Sequence, residues 1–94
     1  MTKLIRCQVQ GGEGWMFWCP GCQENHFFDS GWVFNGDLNV PTFSPSLVTT
    51  FPRDGEEQRC HLVLEAGRLR FLSDCTHAWA GQTVPLPVVN EEDQ

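Results

Sequence analysis

The sequence predicts a mostly β fold: a small antiparallel β domain with little helix, closed around a zinc-ribbon-like Cys-x-x-Cys knuckle. Short runs of alternating apolar residues are separated by Gly, Pro and Asn. No segment shows a helical period of apolar residues, apart from a single turn at 77–81. With 94 residues, we expect one zinc-stabilised domain over 1–89, whose thin core needs a metal, and an acidic flexible tail over 90–94.

Charge and hydropathy argue against two classes of partner, nucleic acids and membranes. The chain has six Lys and Arg residues and twelve Asp and Glu residues, and no Lys or Arg lies between Arg6 and Arg53. A continuous basic surface for phosphates is therefore not expected. No apolar run approaches the roughly 18 residues of a membrane helix. No secretory signal follows Met1, and the five cysteines are odd in number, so we expect a cytoplasmic protein with reduced thiols.

The first half of the chain predicts strands joined by polar turns. We interpret Cys7 as a small buried hydrophobe, and His26 as a half-exposed histidine of a hairpin rather than a ligand. Residues 39–46 contain Pro41 and Pro45, which predicts an ordered loop instead of a helix or a central strand. Strands are expected at 4–10, 15–18, 26–28 and 32–34.

The second half contains the clearest hairpin, around the turn at 65–67. If that turn has three residues, His61 faces the core. With two or four residues the pairing shifts by one, and Cys60 faces the core instead. Cys75 belongs with the core face in both registers. Strands are expected at 47–51, 59–64 and 68–73, with an edge strand or extended tail over 82–89 and a solvated loop at 52–57.

The cysteines and histidines predict one metal site, and the expected ion is zinc. A Cys-x-x-Cys turn directs two sulfur atoms to one point, and the remaining ligands must come from the second half of the chain. Four protein ligands make a closed structural site, whereas three ligands and a water make a catalytic one. A thioredoxin-like redox pair is disfavoured, because no helix follows the pair. The predicted ligands are Cys19, Cys22, Cys60 and Cys75, with His61 and His77 as alternates.

A polar stretch between the two halves is a candidate contact region for a ligand or partner. Its side chains either line a binding groove or satisfy their own backbone in turns, and the sequence leaves both readings open. The candidate contact residues are Asn35, Asp37, Thr42, Ser44, Ser46 and, further on, Trp79.

Several segments together resemble a known family: residues 17–22, 32–37, 41–46, 60–61 and 71–84. They are similar, over about residues 15–86, to small Cys/His proteins encoded by tailed bacteriophages and prophages. Members are sometimes labelled ammonia monooxygenase, although this chain lacks the membrane spans and His-rich copper ligation of those enzymes. The resemblance implies a viral accessory protein that acts in a bacterial cytoplasm, and it carries over no catalytic residue.

On these grounds the sequence favours a binding module over an enzyme. The expected function is that of a phage accessory protein, stabilised by structural zinc, that engages a host protein or a small ligand. Inhibition of host antiviral defence is one form of that function. The alternative is a small zinc-dependent hydrolase or deaminase-like enzyme with a catalytic zinc.

Overall fold

A computed structural model of the chain describes residues 3–9 and 12–88. Within these residues the protein is all β, with two antiparallel sheets and no helix. The predicted fold class is therefore confirmed. The single turn at 77–81 is not helical. No helix there is long and apolar enough to cross a membrane. The predicted tail at 90–94 lies outside the described residues. The strands are β1 (Ile5–Val9), β2 (Gly12–Cys19), β3 (Glu24–Phe28), β4 (Val33–Phe34), β5 (Phe43–Arg53), β6 (Glu56–Glu65), β7 (Arg68–Phe71) and β8 (Thr83–Pro85).

Within each sheet, strands that are consecutive in the chain pair with each other, so both sheets are meanders. The first sheet has the order β1-β2-β3, and the second has the order β4-β5-β6-β7-β8. Aromatic rings from the two sheets form one core: the rings of Phe28 and Phe43 stack with centroids 4.1 Å apart. Phe17 stacks on the other side of Phe28 at 5.3 Å. The two sheets therefore share one apolar interior.

The β6–β7 hairpin has a two-residue turn, which decides which side chains face the core. Ala66 and Gly67 form the turn with φ of 50° and 76°, and Glu65 pairs with Arg68. Positive φ at both positions is the mark of a type I′ turn, whose twist matches that of the strands. In this register Cys60 is fully buried, and its neighbour His61 projects from the opposite face of the sheet.

The expectation of a loop through residue 46 is wrong, because β5 begins at Phe43 and is a central strand between β4 and β6. Between Phe43 and Leu47 the register shifts, so that β5 advances four residues while β6 advances two. This bulge accommodates Pro45, which cannot donate to a regular ladder. The predicted loop at 52–57 is also wrong, since β5 and β6 stay paired to a tight turn at residues 54–55.

Candidate active site and metal centre

Three polar side chains on the outer face of the second sheet form a hydrogen-bonded row. His61 Nε2 lies 3.1 Å from Ser46 Oγ, and His61 Nδ1 lies 3.2 Å from each carboxylate oxygen of Asp74. Ser46 comes from the bulge of β5, His61 from β6, and Asp74 from the segment after β7. The three residues are 15 and 13 positions apart in the chain and meet only through the sheet.

The row has a defined direction of proton donation. A carboxylate can only accept, so the proton of the neutral imidazole resides on Nδ1 and points to Asp74. Nε2 is then free to accept the hydroxyl proton of Ser46. The His61 side chain is 23% exposed and that of Asp74 is 44% exposed, so solvent and substrates can reach the row. The same arrangement occurs in acyl-transfer enzymes. There the serine is the nucleophile, the imidazole is the base, and the carboxylate orients the imidazole.

Each residue of the row is held by its backbone or by a neighbouring charge. The Ser46 carbonyl accepts a hydrogen bond of 3.3 Å from Trp32 Nε1. The His61 carbonyl accepts a bond of 2.9 Å from the Leu72 amide. The Arg59 guanidinium lies 3.7 Å from Asp74 Oδ2, so it adds a cation beside the carboxylate. The geometry of the row is therefore set by the strands around it as well as by its own hydrogen bonds.

Comparison with known families shows a family whose model matches most of the chain. The model of the family described as "Bacterial ubiquitination-like system serine protease (BubE)" matches residues 2–72, which is well over half of the chain. The chain belongs to the BubE family. The match includes Ser46 and His61 and ends two residues before Asp74. No curated protein and no solved structure matches the chain. The family description mentions neither phages nor ammonia monooxygenase, so the phage origin stays a prediction.

A second cluster in this BubE chain lies inside the domain, behind the row of Ser46, His61 and Asp74. One ligand atom from each of its four residues lies within 4.8 Å of the other three, and all four residues are buried. The cluster could hold a metal ion. Its members are Cys19 at the end of β2, Cys22 in the following turn, His26 in β3 and Cys60 in β6.

Distances within the cluster match those of a tetrahedral thiolate site. The sulfur atoms of Cys19 and Cys60 are 3.8 Å apart. Two thiolates at about 2.3 Å from a tetrahedral zinc lie about 3.8 Å from each other. The amide of Cys22 also approaches Cys19 Sγ at 3.5 Å, so the knuckle backbone helps to stabilise negative charge on that sulfur.

Without a cation, the three thiols do not ionise together. Hydrogen bonds from the thiols of Cys22 and Cys60 lower the pKa of Cys19. Donation to Cys19 raises the pKa of Cys22 to about 12, and the same interaction raises the pKa of Cys60. Ionisation of Cys19 therefore disfavours ionisation of the other two thiols. A divalent ion is the ordinary means of keeping all three deprotonated in so buried a place.

Two histidines at the cluster have ring nitrogens that need a partner. Nε2 of His26 and Nε2 of His77 are both buried and accept or donate no hydrogen bond among the described residues. His26 is only 5% exposed, so the interpretation of an ordinary half-exposed histidine is wrong. His77 belongs to a second group, with Cys60 and Cys75, whose ligand atoms are also within 4.8 Å of one another. Burial lowers the pKa of His77, which keeps its imidazole neutral at pH 7.

The structure thus divides the residues predicted as metal ligands. Cys19, Cys22 and Cys60 come together with His26, while Cys75 joins Cys60 and His77. His61, an alternate ligand in the sequence prediction, belongs to the row on the outer face instead. Cys7 is half-buried on β1 and belongs to neither group. The set of four ligands stays a prediction.

Three of the six predicted contact residues use their side chains to satisfy backbone groups. Asn35 Oδ1 accepts from the amides of Asp37 and Thr42, each at 3.1 Å. Amides of the loop also bond to the Asp37 carboxylate, with that of Val40 having the larger effect, and lower its pKa. Thr42 Oγ1 accepts from the Ala66 amide at 2.8 Å. Three of the contact candidates therefore order the connection between β4 and β5, where they satisfy backbone groups.

The other three contact candidates lie in different surroundings. Ser44 is exposed and pairs with Val33 at the start of β5. Trp79 is half-buried, with its ring 6.4 Å from that of Phe71. Ser46 alone belongs to the row with His61. Contact with a partner stays a prediction for all three.

Sequence reasoning missed the role of Asp74 and the connection between Ser46 and His61. No short motif surrounds Ser46, since the strand-turn-helix elbow of G-x-S-x-G hydrolases is absent from the sequence. The available signal was strand alternation: once Cys60 faces the core, His61 must face outwards. A histidine on an outer face is then a candidate base, and its expected partners are a serine and a carboxylate on the same face.

Proposed function

We propose that the protein is a serine peptidase of a bacterial ubiquitination-like system, with Ser46 as nucleophile, His61 as general base and Asp74 as the carboxylate that orients it. The observation that carries the proposal is the pair of contacts made by one imidazole, 3.1 Å to Ser46 Oγ and 3.2 Å to both oxygens of Asp74. Membership of the BubE family supports the same reaction class.

The reaction proceeds by acyl transfer. Ser46 Oγ attacks the carbonyl carbon of the scissile amide while His61 Nε2 takes the hydroxyl proton. The tetrahedral adduct collapses when the imidazolium gives that proton to the leaving amine, and the acyl group stays on Ser46. A water molecule, deprotonated by His61, then attacks the ester, and the imidazolium returns that proton to Ser46 Oγ as the carboxylic acid leaves. Asp74 stabilises the imidazolium in both halves of the reaction and stays ionised.

The substrate that we propose is a protein with an accessible peptide or isopeptide bond. The row lies on an open sheet face, where an extended segment can approach without entering a deep cavity. Val48, which pairs with His61 across β5 and β6, is 53% exposed, and Val33 on β4 is 73% exposed. These valines give the face an apolar surface beside the nucleophile, which supports recognition of a protein segment.

The sequence favoured a binding module and offered a small zinc-dependent hydrolase or deaminase-like enzyme as the alternative. A binding module leaves the contacts of Ser46 and His61 without a role, although engagement of a host protein remains compatible with a peptidase. The alternative hydrolase class is retained, but the nucleophile becomes a serine hydroxyl instead of a zinc-bound water. Phage origin and inhibition of host defence stay predictions.

Covalent labelling by a fluorophosphonate probe tests the proposal. These reagents phosphonylate serines that are activated by a neighbouring base. We expect stoichiometric labelling of the wild-type protein, with the adduct mapped by mass spectrometry to the peptide that contains Ser46. Ser46→Ala should abolish labelling. Ser44→Ala is the matched control, because Ser44 is on the same strand and exposed but lies outside the row.

Hydrolysis of an activated ester provides the second measurement. We expect Ser46→Ala and His61→Ala to remove turnover while Ser44→Ala retains it. Absence of labelling and of ester turnover in folded wild-type protein would overturn the proposed function. Labelling of Ser44 in place of Ser46 would overturn the assignment of the nucleophile.

We also propose that the ion in the inner cluster is zinc and that its role is structural. Three thiolates and one imidazole are ligands that zinc prefers in a closed tetrahedral site. The four mutually close residues support Cys19, Cys22, Cys60 and His26 as the ligands, in place of the predicted set with Cys75. All five cysteines are free, which supports a reducing compartment such as the cytoplasm.

Elemental analysis of protein purified without added metal tests this part. We expect one zinc per chain and a blue cobalt(II) derivative whose charge-transfer bands report three thiolates. His26→Ala should lower the zinc content. Full zinc content in that variant would exclude His26 from the ligand set.

A further inference from the structure

Residues 72–76 run beside β6 and place Asp74 next to His61. The Leu72 amide donates to the His61 carbonyl at 2.9 Å, and the Thr76 amide donates to the Arg59 carbonyl at 2.9 Å. Thr76 Oγ1 in turn accepts from the Arg59 amide at 2.9 Å. The segment therefore continues the pairing of β7 beyond the end of the regular strand, with Asp74 in its middle.

Between these two backbone bonds, the side chain of Cys75 pairs with the main chain of His61. The His61 amide approaches Cys75 Sγ at 3.2 Å, and the same sulfur lies 3.2 Å from the His61 carbonyl oxygen. The thiol therefore accepts from one main-chain group of His61 and donates to the other. Cys75 is 8% exposed, so water does not compete strongly for these bonds.

The two contacts favour a protonated thiol over a metal-bound thiolate. A thiolate has no proton to donate, so at 3.2 Å from a carbonyl oxygen it would face a partial negative charge without a hydrogen bond. Cys75 is also absent from the group of four mutually close ligand atoms that includes Cys19 and Cys22. Its own group holds only three residues, one of which, Cys60, is shared with the larger cluster.

We propose that Cys75 is a positioning residue of the catalytic row, which fixes the main chain of His61 relative to Asp74 through its thiol, and that it lies outside the metal's ligand set. The inference rests on the proposed function. It assigns the fourth cysteine of the predicted metal site to a different task, although its sulfur lies within 4.8 Å of that of Cys60 on the buried side of the sheet. Movement of the imidazole by a fraction of an ångström would lengthen both of its catalytic hydrogen bonds.

Cys75→Ala and Cys75→Ser test the proposal against two reference variants. Cys60→Ser removes a proposed metal ligand, and Cys7→Ser removes a cysteine that belongs to neither group. For each protein we would measure zinc per chain, the thermal melt, the rate of phosphonylation of Ser46, and kcat and KM for an activated ester.

We expect Cys75→Ala to keep one zinc per chain and a cooperative melt. Its phosphonylation rate and its kcat should fall between about 10- and 100-fold, with KM unchanged, because the nucleophile and base lose their alignment while the binding face is intact. Cys75→Ser should recover part of the rate, since a hydroxyl also accepts and donates. Cys60→Ser should lose zinc, and Cys7→Ser should behave as wild type.

Three results would overturn the proposal. Loss of zinc from both Cys75 variants, as in Cys60→Ser, would make Cys75 a ligand. Unchanged phosphonylation and kcat in Cys75→Ala would show that the thiol only fills space in the core. Unfolding of both variants would assign it to the structure of the domain alone. If wild-type Ser46 is not phosphonylated at all, the proposed function fails, and the zinc content of the Cys75 variants still decides whether Cys75 is a ligand.

Discussion

Cys60 and His61 are adjacent in β6 and point to opposite faces of the second sheet. Cys60 is fully buried, with its sulfur 3.8 Å from that of Cys19, while His61 faces outwards with Nε2 3.1 Å from Ser46 Oγ. One strand therefore contributes one residue to the buried Cys/His cluster and the next to the row of Ser46, His61 and Asp74. Because side chains alternate along a strand, neither residue can move to the other face without a shift of register.

Asp74→Asn should lower kcat/KM for an ester or peptide substrate by roughly 10²- to 10³-fold. An amide cannot hold the imidazole in the required tautomer or stabilise its cation, and a buried triad aspartate contributes about 10⁴-fold. Asp74 is 44% exposed, so water already screens part of its charge and the loss should be smaller. Steady-state kinetics measures the effect. Asp54→Asn, in the β5–β6 turn, is the control, and an Asp74→Asn enzyme as active as that control would remove Asp74 from the row.

Trp32→Phe should impair catalysis with little effect on folding. The indole donates to the Ser46 carbonyl at 3.3 Å, and its ring packs against Phe28 with centroids 5.5 Å apart. Phenylalanine keeps the ring contact and removes the donor, so the Ser46 backbone loses one restraint. We expect about a 3- to 10-fold slower phosphonylation of Ser46, in line with the roughly 1 kcal/mol of a neutral hydrogen bond. Trp18→Phe, at a residue that is 36% exposed, is the matched control; equal rates in the two variants would contradict the role of Trp32.

The fold was predictable from the sequence because its hairpins show alternation and clear turns. The sequence could not decide the register of β6, since that depended on whether the turn before Arg68 had three residues, or two or four. The structure has two, Ala66 and Gly67, with positive φ at both. That single feature directs Cys60 to the buried cluster and His61 to the outer face of the sheet.

The catalytic row was not predictable, because its three residues meet only in the folded sheet. Ser46 is in a bulge whose place depends on how β5 pairs with β4 and β6, and Pro45 in the sequence indicated a loop. Asp74 is next to Cys75, and the Cys and His pattern of that segment indicates metal ligation without indicating a role for the carboxylate. The metal cluster was partly predictable: Cys-x-x-Cys and Cys60 are strong local signals, whereas the burial of His26 follows from the pairing of β2 with β3.

Gly21→Ala should destabilise the knuckle through a clash with His77. A Cβ atom at position 21 would lie 2.5 to 2.7 Å from three atoms of the His77 imidazole, closer than atoms approach in real structures. The ring packs against Phe71 at 4.7 Å, so it cannot simply withdraw. We expect the free energy of unfolding to fall by about 1–3 kcal/mol, as in overpacked cores.

Chemical denaturation of the zinc-loaded protein measures that difference. Gly31→Ala is the control for Gly21→Ala, because its nearest neighbour is the exposed carboxylate of Asp29 at 3.0 Å, which accepts from the Gly31 amide and needs to shift by only a few tenths of an ångström. If both variants unfold at the same denaturant concentration as wild type, the imidazole of His77 does not lie over the knuckle.

Removal of zinc should abolish the cooperative melt and the labelling of Ser46 together. A domain of 94 residues has about 5–15 kcal/mol of stability, and structural zinc contributes on the order of 10 kcal/mol in small metal-dependent domains. Chelation under reducing conditions should therefore remove most of the folding free energy. Because His61 is adjacent to Cys60 in β6, loss of the metal site should also displace His61. Thermal denaturation and phosphonylation, each followed against zinc content, measure the coupling, and Cys7→Ser should follow the wild-type curve. A zinc-free protein that melts at the same temperature and labels at the same rate would mean that the four buried residues form a thiol-rich core rather than a metal centre.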